Sequence, residues 1–329
     1  MIGGNKMNFK KIILIIVLVA ILLVGGIAIF KGGDKKNQDS DKIQVVVSNF
    51  ASYDFVRAII GDSDNVELTF LLGAGKDTHS YEPTAQDLIK LQNADLFVYI
   101  GGEAEKWADK VLNSLELENA KIICIADYVD TIEEQEIDGA EPEDEEEEEE
   151  DGAFDEHIWT SPENAIKMVE ILKQTMTELD SENSEKYQEN AQNYIAQIRE
   201  VDGKIQEIVD NRVRDRLIFA DKMPMQYFIN YYGLEVSAAF SGCSTETEPS
   251  ASTIAYLENK VKEEKIPVVL YIELNDGRVA KTIAGEAGRD CQAMQIQTLH
   301  NVSKDDFDNG ETWVSLMTRN IEVLKKALQ

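Results

Sequence analysis

Eight short apolar runs, spaced along the chain with helical patterns between them, constrain the fold more than any other feature. They lie at 43–48, 66–72, 95–100 and 121–126 in the first half, and at 217–220, 235–240, 268–273 and 294–299 in the second. Each is too short for a buried helix and is bounded by polar or turn residues, so each reads as a strand. Amphipathic stretches at 53–60, 85–92, 164–179, 225–232 and 312–328 read as helices between and after them. Alternating strands and helices give parallel sheets with helices on both faces. The longest helical pattern, 184–211, sits between the two halves. Tyr187, Tyr194, Ile195, Ile198, Val201, Ile205 and Ile208 recur in it at three- and four-residue spacing, and Gly203 weakens it only locally. At about 1.5 Å per residue such a helix is roughly 40 Å long, enough to join two lobes. The expected fold is therefore α/β: two four-stranded halves joined by a long helix.

An almost unbroken apolar run at 12–30, preceded by Lys6, Lys10 and Lys11, is long enough to span a bilayer. No cysteine follows it, and small residues near Gly25, Gly26 and Ala28 offer a cleavage site of low quality. The expectation is an uncleaved signal anchor with the remainder outside the cell, or a secreted protein if the segment is cleaved. The chain then divides into an anchor and tether (1–41), an N-terminal lobe (42–183), a linking helix (184–211) and a C-terminal lobe (212–329).

The net charge of −30 is concentrated, since residues 133–156 hold sixteen acids and no Lys or Arg. The remainder is still acidic, which argues against nucleic acid and anionic membrane surfaces as partners. Residues 133–151, with glutamate at every position from 145 to 150, read as a disordered surface loop. As carboxylates are hard oxygen ligands, that loop is either a weak collector of divalent cations or a solvated insertion. Of the three cysteines, Cys124 reads as buried, and a Cys243–Cys291 bridge is left open.

There are only three histidines, His79, His157 and His300, and each follows a strand-like run. Asp221 follows the first strand of the second half. The carboxyl ends of parallel strands form the ligand crevice of such sheets. Two residues from each half thus face one cleft, and three imidazoles with one carboxylate suit a tetrahedral Zn2+ ion. Imidazole content favours zinc over Mn2+, which prefers more oxygen. Taken singly, each histidine has a plainer reading: a surface ion pair beside Asp77 or Glu156, or a half-buried strand end at His300. The coincidence of all three favours a shared site.

Four segments carry a family resemblance. Gly75-Lys76-Asp77-Thr78-His79-Ser80-Tyr81-Glu82-Pro83-Thr84-Ala85-Gln86-Asp87 is similar to a GxDxHxYEPTxxD pattern, and Glu156-His157-Ile158-Trp159-Thr160-Ser161-Pro162 to DPHxWLSP. Tyr227-Phe228-Ile229-Asn230-Tyr231-Tyr232-Gly233-Leu234 is similar to YFxxxYGL, and Glu248-Pro249-Ser250 matches an EPS signature. Together they resemble the zinc and manganese solute-binding proteins of ABC transporters, the TroA/ZnuA-like cluster of metal-binding lipoproteins and adhesins, from about residue 43 onward. The resemblance implies two (β/α)4 lobes with parallel four-stranded sheets on a rigid backbone helix, and a metal ion between the lobes. It implies an ABC permease as partner, a monomer and no enzymatic activity. Surface adhesion is the alternative; a zinc hydrolase is a weaker one, as no HExxH is present. His79 and His157 fall on ligand positions of the family, and His300 falls where an aspartate is usual. The third ligand position falls on Lys222, which cannot ligate while protonated. Asp221 serves if the turn through Met223-Pro224-Met225 absorbs one residue; otherwise Glu246, Glu248 or water completes the shell. The acidic loop stands where zinc members carry a histidine-rich one.

Overall fold

The computed structural model describes residues 42–76, 78, 81–115, 117, 120–141, 154–242 and 248–329. The expected anchor (12–30), tether (31–41), His79, Cys243, Glu246 and the glutamate run at 145–150 lie outside them. Among the described residues no helix is long and apolar enough to cross a membrane.

Two four-stranded, all-parallel sheets organise residues 43–329. The first holds β1 (Ile43–Val47), β2 (Val66–Phe70), β3 (Leu96–Tyr99) and β4 (Lys121–Cys124) in the order β2-β1-β3-β4. The second holds β5 (Arg216–Lys222), β6 (Glu235–Phe240), β7 (Val268–Tyr271) and β8 (Gln292–Gln295) in the order β6-β5-β7-β8. In each, the chain leaves the first strand toward one neighbour and returns on its other side. This reversal opens a crevice at the carboxyl ends of β1 and β3, and again at β5 and β7.

The helices are α1 (Phe50–Ile60), α2 (Ala85–Gln92), α3 (Lys106–Ser114), α4 (Pro162–Leu179), α5 (Ser184–Asp210), α6 (Gln226–Tyr232), α7 (Ala251–Glu264), α8 (Arg278–Ala287), α9 (Lys304–Asp308) and α10 (Trp313–Leu328). Asn49 starts α1 by accepting the Ser52 N–H at 2.9 Å, and Thr84 with Asp87 closes a capping box on α2. The long helix α5 buries the stripe expected of it, from Tyr187 through Ile198 to Val209.

Alternation along each strand divides the core. Val45 and Val47, with Leu217 and Phe219 from the other sheet, belong to one continuous apolar cluster that also takes in α1, α4, α5 and α10. Val46 faces a smaller cluster under α2 and α3, and Ile218 and Ala220 face another under α7 and α8. The two sheets thus share a core on their inner faces, as the two-fold side-chain period of strands allows.

One expectation is corrected. Residues 133–141 do not form a disordered loop; they run as a strap along the edge of the second sheet. Glu133 pairs with Phe154 and Asp138 with Ser237 of β6. Ala238 N–H donates to the Asp138 carbonyl at 3.2 Å, and Glu141 N–H donates to the Ala239 carbonyl at 2.9 Å. The Gln226 amide donates to the Glu133 carbonyl at 2.8 Å. Asp138 accepts from Ser237 (3.0 Å), Lys260 (3.1 Å), Arg216 (3.2 Å) and the Tyr256 hydroxyl. Although partial burial opposes it, these donors hold the Asp138 carboxyl below the usual carboxylate range. Gly139 has φ +88°, and a Cβ there would lie 2.4 Å from Tyr256 Cε1. Charge density suggested repulsion, but cations distant in sequence pair with Asp138 and the strap's backbone caps an exposed edge.

Candidate metal centre

The strap returns through Phe154 into Asp155-Glu156-His157, which precedes α4. Asp155, 1% exposed, fixes the histidine by accepting its backbone N–H at 2.8 Å and facing its ring Nδ1 at 3.2 Å. The Thr160 hydroxyl donates to the His157 carbonyl at 2.7 Å. Gly242 backs the ring; a Cβ there would sit 3.4 Å from Nδ1. His157 is fully buried. Burial lowers its pKa, but the carboxylates of Asp155, Glu156 and Glu134 outweigh that and hold it above the ordinary imidazole value.

His300 follows β8 in a turn held from β7. Buried Glu273 accepts the Thr298 N–H at 2.8 Å, the Thr298 hydroxyl at 2.8 Å and the Asn301 N–H at 3.1 Å. Burial pushes the Glu273 carboxyl up, against these bonds. Leu299 takes a left-handed backbone (φ 58°), which costs a non-glycine residue about 1–2 kcal/mol. It reverses the chain directly before His300.

The two histidines meet across the seam between the sheets. His157 Nε2 lies 2.7 Å from His300 Nδ1, with ring centroids 4.9 Å apart. Thr78 Oγ1 lies 2.6 Å from His300 Nε2. His157 Nδ1 faces Asp155, His157 Nε2 faces His300 Nδ1, and His300 Nε2 faces the Thr78 hydroxyl, so these groups form one continuous hydrogen-bonded relay. Two nitrogens bound to one tetrahedral zinc at about 2.05 Å would stand roughly 3.3 Å apart. A tetrahedral zinc held by both nitrogens would need them slightly farther apart than the 2.7 Å at which they stand. Trp159 Nε1 donates to the Thr298 carbonyl at 3.1 Å, and Trp313 Nε1 to the Trp159 carbonyl at 2.9 Å, tying both segments together.

Asp221, at the end of β5, is 5% exposed. Its Oδ1 accepts the Lys222 N–H at 2.9 Å, whereas its buried Oδ2 has no partner. Burial raises its carboxyl pKa, opposed by the Lys222 and Ile272 N–H groups, the Lys222 charge and the Asn275 side chain. Asp221, Lys222, His300 and Asn301 line a cavity of about 150 Å³. From Phe219 to Lys222, β5 spans only Ala238 to Phe240 of β6, so it carries one extra residue. Such a bulge re-aims side chains, and the carboxylate and the lysine reach the same cavity.

The structure thus joins His157 directly to His300 and puts Asp221 beside His300. His79 lies outside the described residues, but its neighbour Thr78 contacts His300, and Gly75 N–H donates to the Val302 carbonyl at 2.8 Å. Glu248 is exposed and paired with Arg278. Among the described residues no three His, Cys, Asp or Glu side chains are gathered closely enough to hold a metal. Asp155, Thr78, Glu273 and Asn301 were not singled out from sequence. Only Asp155, two residues before His157, and Glu273, a carboxylate ending an apolar run, left any signal there.

Paired parallel sheets whose strand ends face a histidine pair at their seam define a class: two-lobed α/β proteins that hold a small ligand between the lobes. Residues 45–327 match the family described as zinc-uptake complex component A, periplasmic (ZnuA), and the chain belongs to it. It is 31% identical over 310 residues to the zinc-binding lipoprotein AdcA of Streptococcus pneumoniae R6, covering 94% of this chain and 60% of that protein. It is 30% identical to the high-affinity zinc uptake system protein ZnuA of Bacillus subtilis, covering 96% and 97%. The Zn(II)-bound ZnuA-like domain of Streptococcus pneumoniae AdcA superposes with a TM-score of 0.71 at 28% identity, covering 87% of this chain and 99% of that one. The Bacillus subtilis metal-dependent lipoprotein YcdH gives 0.72 at 27%, with the same coverage. A Mn-bound periplasmic metal-binding protein of Candidatus Liberibacter asiaticus gives 0.68 at 25%, covering 85% and 99%. The expected family and two-sheet α/β fold are as found. The chain spans about 60% of the AdcA length.

Proposed function

We propose that this protein captures a divalent transition metal outside the cell, Zn2+ before Mn2+, and delivers it to an ABC permease. The ion is cargo rather than a catalyst. The observation that carries this reading is the His157–His300 contact at 2.7 Å, made by imidazoles from opposite sides of the seam. The unpartnered Asp221 Oδ2 supplies an anionic oxygen beside them. The ligand set we assign is His79, His157, His300 and Asp221, nitrogen-rich enough to favour zinc. The names of the relatives agree with this: zinc uptake for the ZnuA of Bacillus subtilis, zinc binding for AdcA. The protein acts as a monomer, held at the outer face of the cytoplasmic membrane by residues 12–30 or released if that segment is cleaved. Its functional units are the N-terminal lobe, linking helix and C-terminal lobe given above.

The test is competition titration of the metal-free full chain with Zn2+ and Mn2+. One tight zinc per chain is expected, with affinity lost in His157→Ala and in His300→Ala. Undiminished zinc affinity in both variants would sink the site. Removing residues 142–150 is expected to leave that tight site intact.

A further inference from the structure

Each half of the fold lends one segment to the other. The strap leaves the chain after β4 and rejoins it before α4, and both of its roots are held in the first half. Lys121 of β4 is paired with Glu178 of α4, and the Glu156 carboxylate accepts the Ala104 N–H at 3.1 Å. The body of the strap lies on the second half. The Ile132 N–H donates to the Tyr227 hydroxyl at 3.2 Å, and the Gln135 N–H to the Gln226 side-chain carbonyl at 3.3 Å. Beyond the pairing of Asp138 with β6, the Glu141 carboxylate accepts the Ser250 N–H at the start of α7.

Residues 302–311 do the reverse. Their roots are held in the second half, by the Glu273–Asn301 bond at 3.1 Å on one side. On the other, Asn320 of α10 exchanges two bonds with the Gln297 backbone, at 2.8 and 2.7 Å. Between the roots, Phe307 lays its ring on the first half, with its centroid 5.3 Å from that of Tyr53 on α1 and 5.8 Å from that of Phe70 on β2. The Val302 carbonyl accepts the Gly75 N–H at 2.8 Å, and the Glu311 carbonyl accepts Arg57 at 2.7 Å. The strap returns at Asp155, two residues before His157, and the other segment leaves at Val302, two residues after His300. The two loans therefore flank the seam.

Packing one half on the other needs no such exchange, since the shared apolar cluster already supplies it. What the exchange adds is linkage. Each segment is rooted on one side of the seam and bonded to the other. A movement that parts the halves must strip the strap from β6 and Phe307 from α1 and β2 in the same step. Two ordinary surface loops would instead fray separately. We propose that the strap and residues 302–311 form a reciprocal latch, a conformational device that holds the seam shut until both segments are released together. The latch goes beyond the capture reading and does not depend on a bound ion. Weakening either segment lowers the free energy of one shared opened state, so both segments feel the change equally.

The test is hydrogen exchange of the metal-free full-length protein at single-amide resolution. The reporters are amides whose bonds cross between the halves: Ala238 and Glu141 for the strap, and Gly75 for residues 302–311. Asp138→Ala removes the acceptor of Ser237, Lys260 and Arg216, and Phe307→Ala removes the ring that reaches Tyr53 and Phe70. Each variant should speed exchange at all three reporters by about tenfold or more, the scale of one lost bond to a charged group or one truncated ring. Leu91→Ala is the control. Leu91 is fully buried in the smaller cluster under α2 and α3, which includes residues of neither segment. It should lower the thermal midpoint and leave the three reporters at the parent rate. If Asp138→Ala speeds only Ala238 and Glu141, and Phe307→Ala only Gly75, the segments open independently and the latch is overturned. Equal acceleration of all three by Leu91→Ala overturns it too, because the route is then global unfolding. Should Phe307→Ala fail to fold, Phe307→Leu carries the same comparison.

Discussion

Glu273 offers a direct way to separate the support of the His300 turn from the metal itself. Its Oε1 accepts from the Thr298 hydroxyl and the Asn301 N–H, and its Oε2 from the Thr298 N–H. In Glu273→Gln the amide oxygen stays on the side with two donors, since the reverse orientation would orphan both. The new NH2 then faces the Thr298 N–H, leaving that donor buried and unpaired. Losing one bond to a charged acceptor and stranding its donor costs about 2–3 kcal/mol. The neutral amide recovers part of that, because burial already disfavours the charged carboxylate here. The net expectation is about 1–2 kcal/mol. Glu273→Ala strands all three donors and should cost about 3–5 kcal/mol, the scale of a broken buried charge network. Each kcal/mol moves the midpoint of a domain this large by about 2 °C. Thermal unfolding of the metal-free protein measures both costs, and zinc titration of the same samples reads the consequence for His300. Both variants should weaken zinc, the alanine more, although neither removes a proposed ligand. A Glu273→Ala midpoint within about 1 °C of the parent, with zinc affinity intact, would refute the idea that this carboxylate holds the turn.

Gly139→Ala puts a Cβ against Tyr256 in a left-handed backbone; it should release the strap and cost about 2 kcal/mol, seen as faster limited proteolysis within 133–141. Gly203→Ala is the matching control: it lies within α5 with nothing within 4 Å of the added Cβ, and should stabilise by about 0.5–1 kcal/mol in urea unfolding. Asp54 is buried and accepts from Arg57, Tyr194 and the Trp313 N–H; burial raises its carboxyl pKa above 3.8 despite them. A raised folded pKa means that the folded state binds more protons, so this contribution is fully present below 3.8 and is lost as pH rises through the folded value. The stability advantage of the parent over Asp54→Asn should therefore grow on moving from pH 7 to pH 4 in urea unfolding. A difference independent of pH would contradict the assignment.

The central strands could be read from sequence because they are buried on both faces, leaving runs such as Val45-Val46-Val47 and Val268-Val269-Leu270 with no solvent-facing alternation. Helices α3, α7 and α8 were not anticipated, since their buried stripes are thin. In α8 only Ala280, Ile283 and Ala284 are buried. His157 and His300 stood out because histidine is rare and strand ends are special places in parallel sheets. What the sequence did not carry was long-range pairing. Asp138 finds Arg216, Lys260 and Tyr256 about eighty to one hundred and twenty positions away, so its segment looked like unrelieved repulsion. The extra residue in β5 is likewise a property of its pairing with β6, invisible in a count along one strand.

The continuous apolar cluster shared by both sheets has a kinetic consequence. Parting the lobes widely would expose Val45, Leu217, Trp313 and their neighbours to water, a penalty proportional to the area opened. The 298–301 turn at the seam, by contrast, is tied to Glu273 by three hydrogen bonds, so moving it alone would expose far less apolar surface. Global unfolding and ion exchange then become separate processes with separate barriers. Substitutions in the shared core should speed the first and leave the second alone, whereas substitutions around Glu273 should change how long an ion resides.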